Sequence, residues 1–425
     1  MTSAFVYRAG SLCAEEVPLE AIAADVGTPC YVYSHAQLKA NYKAFATAFE
    51  GAFAGQSPMI CYAVKANTNQ AVIRTLADCG AGADVTSVGE MERALAAGIS
   101  PGKIIYSGVG KRRDEIMAAL LAGVHQLNVE SIVELHLISQ VAVGLKKTAP
   151  LAIRINPDVT ARTYKQTSTG ELTTKFGIGL AQLEDAMKLA TSLPFLEFRG
   201  FQVHIGSHVH DYEPFREAFV KLAEIVKYWR GKGVRVQHLD LGGGVGIPYD
   251  GQTLAPFAEY AAIVRQTLGD SGCEISFEPG RRLVGDAGVL VSRVTYDKQG
   301  IGKRFLILDA GMNDLIRPAM YGARHSILPL RENADRMEVS LADVVGPVCE
   351  TSDLFGEDYS LPGVSAGDCL AILQAGAYGS AMSSTYNGRP LLPEIMVAGH
   401  DYAVVRRRIS VDEQMSWEVL PPWIG

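Results

Sequence analysis

A repeated alternation of strand-like and helix-like segments is the feature that most restricts the fold of this 425-residue chain. Eight short apolar runs have the length of buried parallel strands, and helix-like stretches separate them. Parallel neighbours need a long crossover connection, usually a helix, so this order predicts a repeating βα unit. The predicted strands span residues 59–64, 83–86, 103–107, 125–129, 151–155, 200–205, 236–241 and 274–277.

Eight βα units in about 250 residues are typical of a (β/α)8 barrel of the TIM type. We therefore predict an α/β fold with such a barrel over residues 35–280. An open, doubly wound sheet is the alternative. The predicted helices span residues 71–79, 90–97, 114–121, 132–140, 183–192, 214–230 and 256–268.

The rhythm changes after Gly280, where strand-like runs follow one another with few helices between them. Such a change indicates a second, mainly β domain, Greek-key or sandwich-like, built from residues 281–425 together with residues 1–34. The short run Phe5-Val6-Tyr7 would add a strand to it. The other predicted strands span residues 289–296, 305–309, 337–342, 369–373 and 402–409.

Composition and charge exclude several classes of function. A net charge of −7 offers no basic face for nucleic acid, and the run Lys111-Arg112-Arg113 is predicted to be solvated surface. Seven cysteines without CxxC or Cys/His spacing favour a reducing compartment and no metal site. The N-terminal segment lacks a signal-peptide pattern, and no apolar stretch is long enough to span a bilayer. We expect a cytoplasmic protein with a small-molecule substrate.

Candidate chemistry collects where the predicted barrel strands end, which is the active-site face of such barrels. Lys65 follows the first strand, and a shielded lysine there can form a Schiff base, although a solvated loop lysine is equally consistent with this spacing alone. His204 lies at the end of the sixth strand, where it could be a hydrogen-bonded core histidine or a flat imidazole packed on a cofactor ring. Glu278 follows the eighth strand and could either pair with an arginine or face a pyridine nitrogen.

A glycine-rich segment, Gly242–Gly246, follows the seventh predicted strand. Glycines let the backbone approach a ligand closely and direct N–H groups at phosphate, and the loops after strands seven and eight form the usual phosphate site of these barrels. The order GGGVG does not match the GxGxxG order of dinucleotide-binding loops. The sequence therefore predicts a phosphate-bearing ligand other than a dinucleotide.

Seven motifs in order resemble those of the fold-type III pyridoxal phosphate (PLP) enzymes, specifically the diaminopimelate decarboxylase family. The likeness covers nearly the whole chain and departs from the family at Gln202, often histidine, and at Thr351, often serine. The motifs are YAVKAN, HIGS, LGGGVGIPY, EPGR, DAGMNDLIRPAMY, GPVCETSD and GAYGSAM.

The resemblance implies a role for each matching residue. Lys65 would carry PLP, His204 would stack on its ring, and Glu278 would face its pyridine nitrogen. Cys349 would donate a proton during catalysis. The remaining cofactor contacts would come from Ser207, Gly243, Gly244, Gly280, Arg281 and Tyr378, and the substrate contacts from Arg281, Arg317, Tyr321, Glu350 and Tyr378.

The resemblance also implies the reaction: decarboxylation of meso-2,6-diaminopimelate at its D-centre, the last step of lysine biosynthesis, by a homodimer with shared active sites. The β-rich domain would contribute substrate and dimer contacts. Two alternatives stay open: another fold-type III decarboxylase, acting on ornithine, arginine or a D-amino acid, and a PLP-binding regulator without catalysis.

Overall fold

The chain divides into two compact units. The barrel unit comprises Lys39–Pro248 and Thr253–Leu283, and the β unit comprises Met1–Leu38, Tyr249–Gln252 and Val284–Gly425. The computed structural model describes residues 4–53, 57–161, 168–171, 174–332, 341–361 and 363–424.

Eight parallel strands of the barrel unit close into a ring. The eighth strand pairs with the first, with Ser276 opposite Met59 and Phe277 opposite Ile60, so no edge is left between them. This closure confirms the predicted (β/α)8 barrel and excludes the open sheet. The barrel strands are Met59–Ala63, Gly82–Val85, Ile104–Tyr106, Gln126–Val129, Ala149–Asn156, Leu196–Val203, His238–Asp240 and Glu274–Phe277, and a short ninth strand, Ile178–Gly179, pairs with the fifth.

Helices connect the barrel strands, and polar residues fix where several of them begin. Ser87 Oγ accepts a hydrogen bond from Glu90 N at 3.2 Å, and Ser131 Oγ accepts one from Glu134 N at 3.2 Å, so two Ser-x-x-Glu sequences cap helices as expected from their spacing. The helices are His35–Ala48, Gln70–Asp78, Val88–Ala96, Arg113–Ala122, Ile132–Leu145, Leu183–Ser192, Glu213–Gly231 and Phe257–Leu268.

The β unit is built around one long strand, Gly288–Gln299, which pairs antiparallel with Cys30–Ser34, Arg304–Leu308 and Cys369–Ile372. This arrangement confirms the predicted mainly β second domain. The predicted strand over residues 337–342 lies mostly outside the described residues. The other strands of the unit are Phe5–Arg8, Ser11–Ala14, Val17–Pro18, Ile327–Pro329, Leu341–Val345, Leu354–Ser360, Glu394–Ala398 and Asp401–Arg406, and its helices are Leu19–Val26, Arg317–Tyr321 and Val411–Met415.

Two local predictions have clear outcomes. The segment Phe5-Val6-Tyr7 forms a strand, but it pairs with Ser11–Ala14 in a separate three-stranded sheet. The prediction of a solvated surface is wrong for Lys111, whose side chain is 1% exposed. Its ammonium donates hydrogen bonds to Gly108 O at 2.7 Å, Asn128 O at 2.6 Å and Glu134 Oε1 at 2.6 Å, so the buried charge is neutralised and fully engaged.

Among the residues that the structure describes, no helix combines the length and the hydrophobicity that a membrane crossing requires.

Candidate active site

Lys65 lies in a single helical turn, Val64–Ala66, that directly follows the first barrel strand. Its ammonium is 2.6 Å from Asp84 Oδ2, a carboxylate of the second strand with no exposed side-chain surface. The Lys65 side chain itself is 40% exposed, so its amine is accessible at the rim while the buried anion holds it in place. The structure thus places an accessible amine at the carboxyl end of the barrel.

The glycine loop follows the seventh barrel strand and is packed against neighbouring backbone. A Cβ atom on Gly243 would lie 2.2 Å from Glu278 O, and one on Gly244 would lie 2.3 Å from Gly206 O. Gly244 also has a φ of +101°, a conformation that side chains rarely adopt. The loop therefore requires glycine at both positions and presents bare backbone at the rim.

Glu278 directly follows the eighth strand and is buried. Burial raises the pKa of its carboxyl well above the usual range, and the nearby carboxylates of Asp240 and Asp84 raise it further. Burial also raises the pKa of Asp240 to about 6. Glu278 accepts hydrogen bonds at 3.2 Å from Ser107 Oγ, Asn128 Nδ2 and Gln202 Nε2.

Gln202, one of the two departures from the family pattern, thus contacts Glu278. Its amide nitrogen donates to Glu278 Oε2, 3.2 Å away. The second departure, Thr351, is exposed in the β unit.

His204 lies one residue beyond the sixth strand, and its Nδ1 accepts a hydrogen bond from Gly243 N at 3.2 Å. Desolvation lowers its pKa well below the usual value, and the positive charges of Arg154 and Lys65 add to this effect. A neutral imidazole that accepts at Nδ1 carries its proton on Nε2. His204 is therefore an uncharged ring whose orientation is fixed by the glycine loop.

Arg281 and Ser207 complete the part of the site that lies on the barrel. Arg281 begins the short helix Arg281–Val284, directly after Gly280, and its Nη2 is 3.3 Å from Ser207 Oγ. The structure therefore brings eight predicted site residues to the same end of the barrel, namely Lys65, His204, Ser207, Gly243, Gly244, Glu278, Gly280 and Arg281.

The other five predicted site residues belong to the β unit. Arg317 and Tyr321 begin and end one short helix. Arg317 has no exposed surface; its Nη1 donates to His325 Nε2 at 2.7 Å, and its guanidinium lies 4.4 Å from the centroid of the Tyr249 ring. The role of Arg317 in substrate binding stays a prediction.

Cys349 and Glu350 are exposed and adjacent in the chain. Glu350 accepts hydrogen bonds from the hydroxyls of Tyr386 and Ser352, and these bonds lower the pKa of its carboxyl. Tyr378 is half-buried with a φ of +56°, an unusual conformation for a residue with a side chain. These positions do not test the predicted roles of the three residues in proton transfer, substrate binding and cofactor binding.

The barrel rim has the chemistry that PLP requires. It offers an amine for a Schiff base, bare backbone at a loop position typical of phosphate sites, and a buried carboxyl whose raised pKa suits it to share a proton with a pyridine nitrogen. The residues present therefore fit this cofactor.

Comparison with known proteins identifies the family. Residues 35–285 match the family described as pyridoxal-dependent decarboxylase, pyridoxal binding domain. Over 420 residues the chain is 46% identical to the diaminopimelate decarboxylase of Pseudomonas fluorescens, covering 99% of both chains. Over 422 residues it is 43% identical to that of Zymomonas mobilis subsp. mobilis, again covering 99% of both. The chain belongs to the diaminopimelate decarboxylase family.

A solved structure supports the same assignment. The crystal structure of diaminopimelate decarboxylase from M. jannaschii in co-complex with L-lysine has a TM-score of 0.94 and 34% identity, and the match covers 99% of both chains. The family resemblance, the fold and the carboxy-lyase class predicted from the sequence are therefore confirmed. The roles of the individual residues remain predictions.

Sequence reasoning missed three residues of the site: Asp84, Asn128 and Asp240. Each is a polar residue with no exposed surface in a short barrel strand. That pattern was visible in the sequence, because a buried polar residue near the end of a strand needs a partner. The sequence could not show that the three converge near Lys65 and Glu278.

Proposed function

We propose that this enzyme decarboxylates meso-2,6-diaminopimelate at its D-configured centre and releases L-lysine and carbon dioxide, with PLP attached to Lys65. The observation that carries the proposal is the position of the Lys65 amine, 2.6 Å from the buried Asp84 carboxylate at the carboxyl end of the barrel. The substrate follows from relatives named diaminopimelate decarboxylase that match nearly the full chain.

Bound PLP would supply an electron-withdrawing ring that accepts the electron pair left when carbon dioxide departs. Glu278 would hold a proton at the ring nitrogen, and the raised pKa of its buried carboxyl suits it to bring that proton to the site. His204, neutral and fixed through Nδ1, would pack on the ring face without competing for charge. Gly243, Gly244, Gly280, Ser207, Arg281 and Tyr378 would bind the phosphate and the adjoining cofactor atoms.

The substrate contacts we propose are ionic. Arg281, Arg317 and Tyr321 would bind carboxylate, with Tyr378 alongside, and Glu350 would bind the distal ammonium group. A substrate that lacks one of these charges leaves a protein charge unpaired, and discrimination of this kind can reach about 10⁴–10⁵. Lysine and ornithine lack the distal carboxylate and should be poor substrates.

We further propose a cytoplasmic homodimer in which Cys349 and Glu350 complete the active site of the partner. Cys349 would deliver the proton to the carbon that has lost carbon dioxide. The exposure of both residues is compatible with such a contribution.

The test is a coupled carbon dioxide assay with the three stereoisomers of diaminopimelate, and with lysine, ornithine and arginine as controls. We expect turnover of the meso isomer with L-lysine as the product. Faster turnover of ornithine, arginine or a D-amino acid would replace the proposed substrate. Absence of carbon dioxide from every amino acid, with PLP bound, would identify a regulator.

A further inference from the structure

The barrel interior contains a line of buried polar side chains that the proposed mechanism does not use. Gln126, Asn128 and Asp240 have no exposed surface, and His238 is 3% exposed. Interiors of such barrels are usually filled by Val, Ile and Leu, and a buried polar group costs free energy unless it is hydrogen-bonded. Gln126 and Asn128 are two residues apart on one strand, as are His238 and Asp240 on another, so each pair faces the same side.

The direction of the hydrogen bonds along this line follows from the carboxyl groups at its end. Asn128 Nδ2 lies 2.9 Å from Asp240 Oδ2 and 3.2 Å from Glu278 Oε1. Asp240, with a pKa of about 6, is ionised at physiological pH and its oxygens can only accept, so the Asn128 amide must turn its nitrogen towards it. Asn128 Oδ1 then faces away and accepts from Gln126 Nε2 at 2.8 Å.

The same logic extends to His238. Once Gln126 donates through Nε2, its Oε1 can only accept, and it lies 2.7 Å from His238 Nδ1. His238 must therefore carry a proton on Nδ1. Burial lowers its pKa to about 3, so the ring is neutral at physiological pH, and its Nε2 makes no hydrogen bond with the described residues. The donors of the three residues thus run in one direction, towards the end of the line that holds Asp240 and Glu278, where Asn128 Nδ2 also lies 3.1 Å from Ser107 Oγ.

We propose that His238, Gln126 and Asn128 form a one-directional hydrogen-bond relay that positions the Asp240–Glu278 carboxyl pair and stabilises its ionised form. The three are positioning residues, because they act on Glu278 and Asp240 rather than on substrate. Asp240 extends the relay to the glycine loop, since its Oδ1 accepts from Gly242 N at 3.1 Å. The use of the relay in catalysis rests on the proposed function, but its effect on the carboxyl pair does not.

Other charged groups also shift the pKa values of the Asp240–Glu278 pair, and their effect must be separated from that of the relay. The Asp84 carboxylate and the Lys65 ammonium shift the pKa of Glu278 in opposite directions, and the Cys61 thiol is close enough to interact with Asp240, Glu278 and Asp84. At the far end, His125 and Arg199 act on His238. A test that adds no charge is therefore needed.

The experiment measures the titration of Asp240 by carbon-13 NMR in apoprotein labelled at the aspartate carboxyl carbon, with Asp240→Asn to assign the resonance. The expected midpoint in the wild-type protein is about 6. Asn128→Leu removes the amide donor of the relay to the pair and should raise the midpoint by about one pH unit, a tenfold gain in proton affinity. Gln126→Met keeps the volume and the charge but breaks the relay, so a rise of roughly half a unit is expected.

Ser276→Ala is the matched control. Ser276 is also fully buried in a barrel strand, and its hydroxyl makes no hydrogen bond with the described residues, so the midpoint should not move. If the Asp240 midpoint in Gln126→Met equals that in Ser276→Ala, the relay is overturned. Asn128 would then act on the carboxyl pair only through its own hydrogen bonds. If Gln126→Met does not fold, His238→Phe, which removes the first donor of the relay, decides by the same criterion. Because the apoprotein is used, failure of the diaminopimelate assay would not affect this result.

Discussion

At the scale of single residues, the proposed mechanism depends on how burial changes the chemistry of Glu278. The carboxyl is buried, accepts hydrogen bonds from neighbouring side chains and has a second carboxyl nearby. Its ionisation therefore costs free energy unless a positive charge lies beside it. A protonated pyridine nitrogen would carry such a charge. The free energy that burial adds to the ionisation of Glu278 would thus favour a protonated ring nitrogen, which the ring needs in order to accept electrons.

We predict that Glu278→Gln lowers kcat by about 10²–10³-fold while PLP affinity changes little. The substitution keeps the shape but removes the negative charge, which matters most when charge reaches the ring nitrogen. Stopped-flow kinetics and a PLP titration, with Ser276→Ala as the control, measure the two effects separately. An unchanged kcat would remove Glu278 from this role, and a loss of PLP binding alone would make it a cofactor anchor.

At the scale of elements, the glycine loop after the seventh strand packs closely against the backbone of Glu278, directly after the eighth strand. We predict that Gly243→Ala weakens PLP binding, because its Cβ would lie 2.2 Å from Glu278 O and one of the two segments must move. Overpacking of this kind costs about 1–3 kcal/mol, roughly 5- to 150-fold in affinity if the cost falls on the bound state.

The control for this prediction is Gly144→Ala, in the helix Ile132–Leu145, where a Cβ meets nothing within 4 Å. It should leave PLP affinity unchanged, as fluorescence titration of both variants would measure. Equal affinities for wild type and Gly243→Ala would show that the loop tolerates a side chain.

Elements were more predictable than contacts. The strand over residues 274–277 was predicted with the bounds that the structure has, because a short apolar run between turn residues carries its own signal. Cys30–Ser34 was missed as a strand, since its partners, Gly288–Gln299 and Glu394–Ala398, are far away in the chain. The Lys65–Asp84 pair was missed for the same reason: neighbouring strands must be in register before the two charges meet.

At the scale of the whole molecule, the question is whether one chain makes a complete site. We predict that mixing Lys65→Ala chains with Cys349→Ala chains restores about a quarter of wild-type activity, because half of randomly assorted dimers are mixed and each has one intact site. The control mixes Lys65→Ala with Glu278→Ala. Both residues belong to the barrel unit, so no mixed dimer gains an intact site.

Subunit exchange must be verified by native mass spectrometry of differently tagged chains. If exchange is complete and the Lys65→Ala and Cys349→Ala mixture stays inactive, each chain builds its own site. Activity of Cys349→Ala on its own would instead show that the thiol has no role in the reaction.

The proposed function requires that Lys65 carries the cofactor, and borohydride trapping detects that attachment itself. Reduction of the PLP-loaded protein should fix the label on one peptide, and fragmentation should place it on Lys65, with no label in Lys65→Ala. Lys111 is the informative competitor, because it also follows a barrel strand but has three hydrogen-bond acceptors around its ammonium. Labelling of Lys111 or any other lysine in the wild-type protein, or the absence of a stable label after PLP loading, would show that Lys65 does not carry the cofactor.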